Sequence, residues 1–123
     1  MPARTVIVHD DPRFIELSAG ALAAAGHQIR AFSSSMAAID ALQADEPAQL
    51  LITRIAFPQG QPNGVSLARM ARVKWPGVRI LFVGRPENQE HTEGVGEFLA
   101  APVAGHELVA AVGQILSRNG DLP

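Results

Sequence analysis

Apolar and polar positions along the chain alternate between two rhythms. Short runs such as "TVIVH" (Thr5 to His9) and "LLITR" (Leu50 to Arg54) are almost unbroken by polar residues and rich in β-branched ones, as strands buried on both faces are. Between such runs lie stretches whose apolar residues recur at three and four positions, the spacing of a helix that covers a core with one face.

Taken in order, these rhythms predict a strand over Thr5 to His9 and a helix opening at Asp11 as N-cap. Pro12 then stands in the first turn and Gly26 at the stop. A strand over Gln28 to Phe32 follows, then a capping region at Ser33, Ser34 and Ser35 and a helix from Met36 to Ala44. The strand Leu50 to Arg54 leads through the loop "PQGQPNG" to a helix from Val65 to Lys74, which Trp75 closes against the sheet. Next come a strand over Arg79 to Val83, a short and weakly helical piece around Gln89 to Glu93, and a strand over Glu97 to Ala100. The last helix spans about Gly105 to Ser117 and sets Leu108, Ala111, Val112 and Ile115 on one face.

Five strand–helix units of this kind imply an α/β domain: a doubly wound, five-stranded parallel sheet with helices on both faces. Composition agrees with a single such domain, since 47% of the 123 residues are hydrophobic and 18% charged, enough apolar surface for a core. The formal net charge of −2 gives no reason to expect a nucleic-acid or anionic-membrane partner. No apolar run has the length of a membrane span, and the amino-terminal residues do not read as a secretory signal, so a cytoplasmic location is expected. With no cysteine, thiol and disulfide chemistry are excluded.

Sheets of this class place their sites at the carboxyl ends of the strands. The residues there are His9, Asp10 and Asp11 after the first strand, Arg54 after the third, Gly84 and Arg85 after the fourth, and Ala101 and Pro102 after the fifth. Two adjacent carboxylates can hold Mg²⁺; alternatively Asp11 caps the helix while Asp10 bonds loop amides. His9 has no second His or Cys at ligand spacing. Arg54 ends an apolar run with a permanent charge, which calls for a carboxylate partner or for an exit to solvent.

The segments "VIVHDDP", "LLITRIAFP" followed by "NG", "ILFVG" and "GVGEFLAAPV" resemble, in order and spacing, the receiver domains of two-component response regulators, over nearly the whole chain. The resemblance implies a (βα)5 flavodoxin-like receiver fold over residues 1–118, with 119–123 as a flexible tail. It places the acidic pair on His9 and Asp10, the phosphoryl-accepting position on Arg54, the strand-four hydroxyl on Gly84, the lysine on Ala101 and the switch aromatic on Phe98. It also implies a cis bond before Pro102, and it sets strands one and three side by side, which makes Asp10 the nearest carboxylate to pair with Arg54. Of the phosphorylation residues only Asp10 keeps its kind, and the "PQGQPNG" loop is longer than usual. Phosphoryl transfer to a carboxylate needs a nucleophilic oxygen, a divalent cation and a fixed positive charge. Arg54 offers no such oxygen and brings a positive charge to the place of the cation, while Ala101 lacks the ammonium. The resemblance therefore implies a degenerate receiver, not an enzyme, with Mg²⁺ binding lost or weak. Such a module works through protein contacts made by the fourth helical element, strand five and the last helix, with a second copy as one possible partner. The other readings are a small Mg²⁺-dependent phosphohydrolase using Asp10 and Asp11, and a purely structural dimerisation unit.

Overall fold

The computed structural model describes residues 3–44, 47–58 and 60–118. The expected tail, 119–123, lies outside the described residues. Five parallel strands form one sheet in the order β2-β1-β3-β4-β5: β1 (Arg4–Val8), β2 (Gln28–Phe32), β3 (Leu50–Thr53), β4 (Arg79–Gly84) and β5 (Glu97–Ala100). Helices α1 (Pro12–Ala24), α2 (Ser35–Ala44), α3 (Gly64–Lys74) and α4 (Gly105–Arg118) make the crossovers and the final cover. The strand order reverses direction between β1 and β3, which opens the carboxyl edge at that point.

Strand residues alternate between two cores. Ile7, Leu50, Ile52 and Leu81 pack with Leu22 of α1 and Leu108, Val112 and Ile115 of α4. Their neighbours Val8, Leu51, Ile80 and Phe82 pack on the other face with Ala38 and Leu42 of α2 and Leu67, Ala71 and Trp75 at α3. Because both faces are covered, all four positions of β3 are buried, which is why its sequence reads as an unbroken run.

The helix ends follow local chemistry. Asp11 caps α1 by accepting from the Arg13 amide at 2.9 Å, and Gly26, at φ 97°, ends it in the left-handed region. Ser34 Oγ accepts from the Ala37 amide at 3.1 Å, so α2 opens at Ser35, one residue before the expected start. Asn63 caps α3 by accepting from the Ser66 amide at 2.8 Å. The fourth helical element is a 3-10 helix, Pro86–Thr92, that begins earlier than the expected Gln89 because Pro86 supplies a preset φ at its first position. Buried Thr92 closes it by donating to the Gln89 carbonyl at 2.7 Å.

Candidate functional site at the carboxyl edge

The β1–β3 pairing sets Val8 beside Thr53, so the residues that follow, His9 and Asp10 on one strand and Arg54 on the other, leave the sheet side by side. The main chain of Arg54 is held by two hydrogen bonds, one main-chain and one from a hydroxyl. Its amide donates to the Val8 carbonyl at 3.2 Å, and its carbonyl accepts from Thr53 Oγ1 at 2.9 Å. Gly64 passes directly behind: a Cβ there would stand 1.9 Å from the Arg54 carbonyl oxygen, while the Gly64 amide donates to the Ile55 carbonyl at 2.7 Å. The glycine that opens α3 is thus needed for a close approach of backbones.

From this fixed base the Arg54 side chain reaches across to Asp10, donating from Nη1 to Oδ1. Both side chains are about one-third exposed, 34% for Arg54 and 30% for Asp10. Burial alone would raise the Asp10 carboxyl, but the hydrogen bond and charge of Arg54 outweigh it and hold the group below its ordinary value.

The two aspartates point to different partners. Asp11 spends one carboxylate oxygen on the Arg13 amide, and its own amide donates to His9 Nδ1 at 3.0 Å. A ring nitrogen that accepts from an amide carries no proton, so this bond requires neutral His9. The His9 ring, 13% exposed, stacks on Phe14 with centroids 4.4 Å apart. Burial first, and then the Arg54 charge, push the His9 pKa below its ordinary value, against the pull of Asp10 and Asp11. The 3.8 Å approach of His9 Nδ1 to Asp10 Oδ1 is therefore a contact between a neutral ring and a carboxylate, not an ion pair.

The opposite wall comes from β4 and β5. The Ala101 amide donates to the Gly84 carbonyl at 2.8 Å, and the Ala101–Pro102 peptide is cis. Between the walls lies a cleft of about 380 Å³, lined by His9, Asp11, Arg54, Gly84, Arg85 and Ala101. The site residues read from the sequence are thus brought to one edge, with Asp10 joined to it through Arg54. What the sequence reading missed is Ile55. The absent side chain of Gly84 suggests free space, yet Ile55 Cδ1 lies 3.5 Å and Phe98 Cε1 4.0 Å from where a Gly84 Cβ would be. Ile55 is buried and Phe98 half-buried against the same core. The alternation of strand faces carried one residue past Arg54 would have sent Ile55 back to the core.

Sequence reading also missed what anchors the long loop. Gln61 Oε1 accepts from the Ser35 amide at 3.0 Å and from Ser35 Oγ at 3.2 Å, tying the β3–α3 connection to the first turn of α2. Among the described residues, no group of three His, Cys, Asp or Glu is placed to hold a metal ion, and no helix is long and apolar enough to cross a membrane.

No protein-family profile matches the sequence. Solved structures do match the chain's shape. A response regulator receiver protein from Sinorhizobium medicae superposes with a TM-score of 0.83 at 27% identity, over 94% of this chain and 95% of that one. The fold is that of the response regulator receiver domains. The receiver fold recurs in the chemotaxis response regulator CheY4 of Vibrio cholerae, with a TM-score of 0.81 at 17% identity over 94% of this chain and 99% of that one. It recurs again in NtrX from Brucella abortus, with a TM-score of 0.85 at 21% identity over 96% of this chain. The chain spans only 27% of the length of that NtrX chain.

Proposed function

We propose that this chain is an atypical receiver of two-component phosphorelay signalling that is not itself phosphorylated, is not an enzyme, and acts in the cytoplasm by protein contact. The observation that carries this reading is the Arg54–Asp10 bond. Arg54 stands at the end of β3, where the receiver resemblance puts the phosphoryl acceptor, and its guanidinium occupies the carboxylate that would otherwise serve a cation. The fold and the response regulators that share it support a place in such signalling.

The donor set does not suit Mg²⁺, which needs near-octahedral oxygens and usually one or two free carboxylates. Asp10 is engaged by Arg54, and Asp11 is engaged as the cap of α1. The same division argues against a phosphohydrolase, whose paired carboxylates would have to converge on one substrate atom. With no modification to read, output falls to surfaces. The reading assigns it to the face built by the 3-10 helix, β5 and α4, where Phe98 lies half-buried and Arg118 pairs with Glu97 at 2.8 Å. A protein partner, or a second copy of the chain, would bind there.

Intact-mass measurement after incubation with acetyl phosphate and Mg²⁺ tests the reading. The expected result is no added phosphoryl group and no change in melting temperature. A stable gain of one phosphoryl, mapped to Asp10 or Asp11, would overturn it.

A further inference from the structure

The cleft of about 380 Å³ described above and a second one of about 420 Å³ both rest on Ile55 and Ala56, so the two join into one trough beyond the end of β3. Its walls are two ridges with the same spacing in sequence. On one side stand Arg85, Asn88 and His91, three residues apart on and just before the 3-10 helix, where side chains at that spacing line up. On the other stand Asn63, Ser66 and Arg69, at the cap and in the first turns of α3.

The walls are polar and largely uncommitted. Asn63 accepts from the Ser66 amide as the cap of α3, but no hydrogen bond or ion pair to another described residue engages the side chains of Ser66, Arg69, Arg85, Asn88 or His91. Arg85 lines one cleft and Arg69 the other, and both are exposed. Acids are scarce along the trough: Asp11, bonded to the Arg13 amide, lines the first cleft, and none lines the second. Glu87 and Glu90 belong to the same 3-10 helix but form a ridge of their own, one residue out of step with the wall.

We infer that this trough binds an extended, acidic segment of a partner protein. An extended chain still has free N–H and C=O groups, which the Asn88 and Asn63 amides, the Ser66 hydroxyl and the His91 imidazole can meet; a helix has already paired its own. Carboxylates toward the two ends of the segment meet Arg85 and Arg69 as forked pairs. A 3-10 helix rises about 2.0 Å per residue, so Arg85 to His91 spans about 12 Å, the length of about four extended residues. Acids about four residues apart point to one side of an extended chain, and so does the residue midway between them. The segment therefore reads acid, any, small apolar, any, acid, with its central side chain on the Ile55–Ala56 floor. A small anion fits worse, because the two uncommitted arginines line different clefts. Nucleic acid fits worse too, since it calls for many cations and the chain has a net charge of −2. The walls use neither Arg54 nor Asp10, so the inference does not rest on their bond, and it adds a contact region to the β5 face assigned above.

The test selects binders to the full chain from a displayed library of short random peptides flanked by proline, which disfavours helix. The enriched peptides should carry two acids at the stated spacing, and the tightest should weaken steeply as salt is added. Arg69→Glu and Arg85→Glu should each lower its affinity about tenfold or more, while Lys74→Gln, on the α2-facing side of α3, should leave it unchanged. All three positions are exposed, so these variants should keep the wild-type melting temperature; should a charge reversal not, Arg69→Gln or Arg85→Gln serves in its place. The inference is overturned by no enrichment, by enriched peptides that are neutral or basic, by undiminished binding to either arginine variant, or by an equal loss in Lys74→Gln. It is also overturned if inorganic phosphate binds the trough more tightly than any peptide, or if Arg69→Glu abolishes a dimer seen in sedimentation velocity, since the occupant would then be a small anion or a second copy.

Discussion

Arg54 and Asp10 leave adjacent strands at the carboxyl edge and meet through one charged hydrogen bond, each with about a third of its side chain in water. That exposure places the pair between two regimes. Exposed pairs contribute about 0 to 1 kcal/mol, while removing one partner of a fully buried pair costs roughly 3 to 5 kcal/mol. Asp10→Asn and Arg54→Gln are each expected to destabilise the fold by roughly 1 to 2 kcal/mol, between those limits. A double-mutant cycle in urea denaturation should return a coupling of about 1 kcal/mol that shrinks with added salt. Additive effects would mean that the two groups do not stabilise each other.

The pH dependence follows from the same corner. His9 titrates lower in the folded chain than its ordinary 6.5, so the unfolded chain binds the proton first. The contribution of neutral His9 is complete above 6.5 and is lost as pH falls below it. Asp10 is also depressed, so its contribution is present above 3.8 and is lost only as pH falls from there through the lower folded value. Melting temperature should therefore decline in two stages on acidification. His9→Gln should flatten the first stage and Arg54→Gln the second; a His9→Gln profile identical to wild type would remove His9 as the titrating group.

Gly64 is the position at which a single methyl should do most harm. The Cβ of Gly64→Ala would lie 1.9 Å from a backbone oxygen, which cannot rotate aside as a side chain can. A loss of about 3 kcal/mol is expected, the upper part of the usual range for overpacking. The shift should be read by thermal or urea denaturation, and a loss below about 1 kcal/mol would show that α3 can move away freely.

Gly84→Thr tests how tightly the cleft floor is packed. Its Cβ would make ordinary contacts with Ile55 at 3.5 Å and Phe98 at 4.0 Å, but the γ atoms need room that these two side chains fill. Phe98, half-buried, should give way before buried Ile55, turning outward. Aromatic proton shifts of Phe98 report this directly, and binding of a partner to the β5 face should weaken. Unchanged Phe98 resonances and unchanged partner affinity would mean that position 84 does not govern that surface.

Periodicity carried most of the fold because both faces of the sheet are covered: the runs at β1, β3 and β4 have no polar side to interrupt them, and β2 and β5 fall where the spacing puts them. The 3-10 helix was harder to place, because Pro86 sets its start while the following residues carry no apolar period. At the site, strand ends brought His9, Asp10, Arg54, Gly84 and Ala101 together on topology alone. The role of Ile55 as filler, the acceptor nitrogen of His9 and the grip of Gln61 on Ser35 were not legible. Each depends on which atoms of distant segments come within about 3 to 4 Å, a matter of tertiary approach that local spacing does not encode.

The base that holds Arg54 contains no atom of its own side chain. The Val8 carbonyl and the Thr53 hydroxyl fix the main chain there, the Gly64 amide holds the adjoining Ile55 carbonyl, and the guanidinium bonds Asp10 at its far end. Position 54 is in effect an interchangeable socket. Over evolutionary time, a different side chain could be fitted to it, and a different chemistry offered to the same cleft, without redesign of the sheet that presents it.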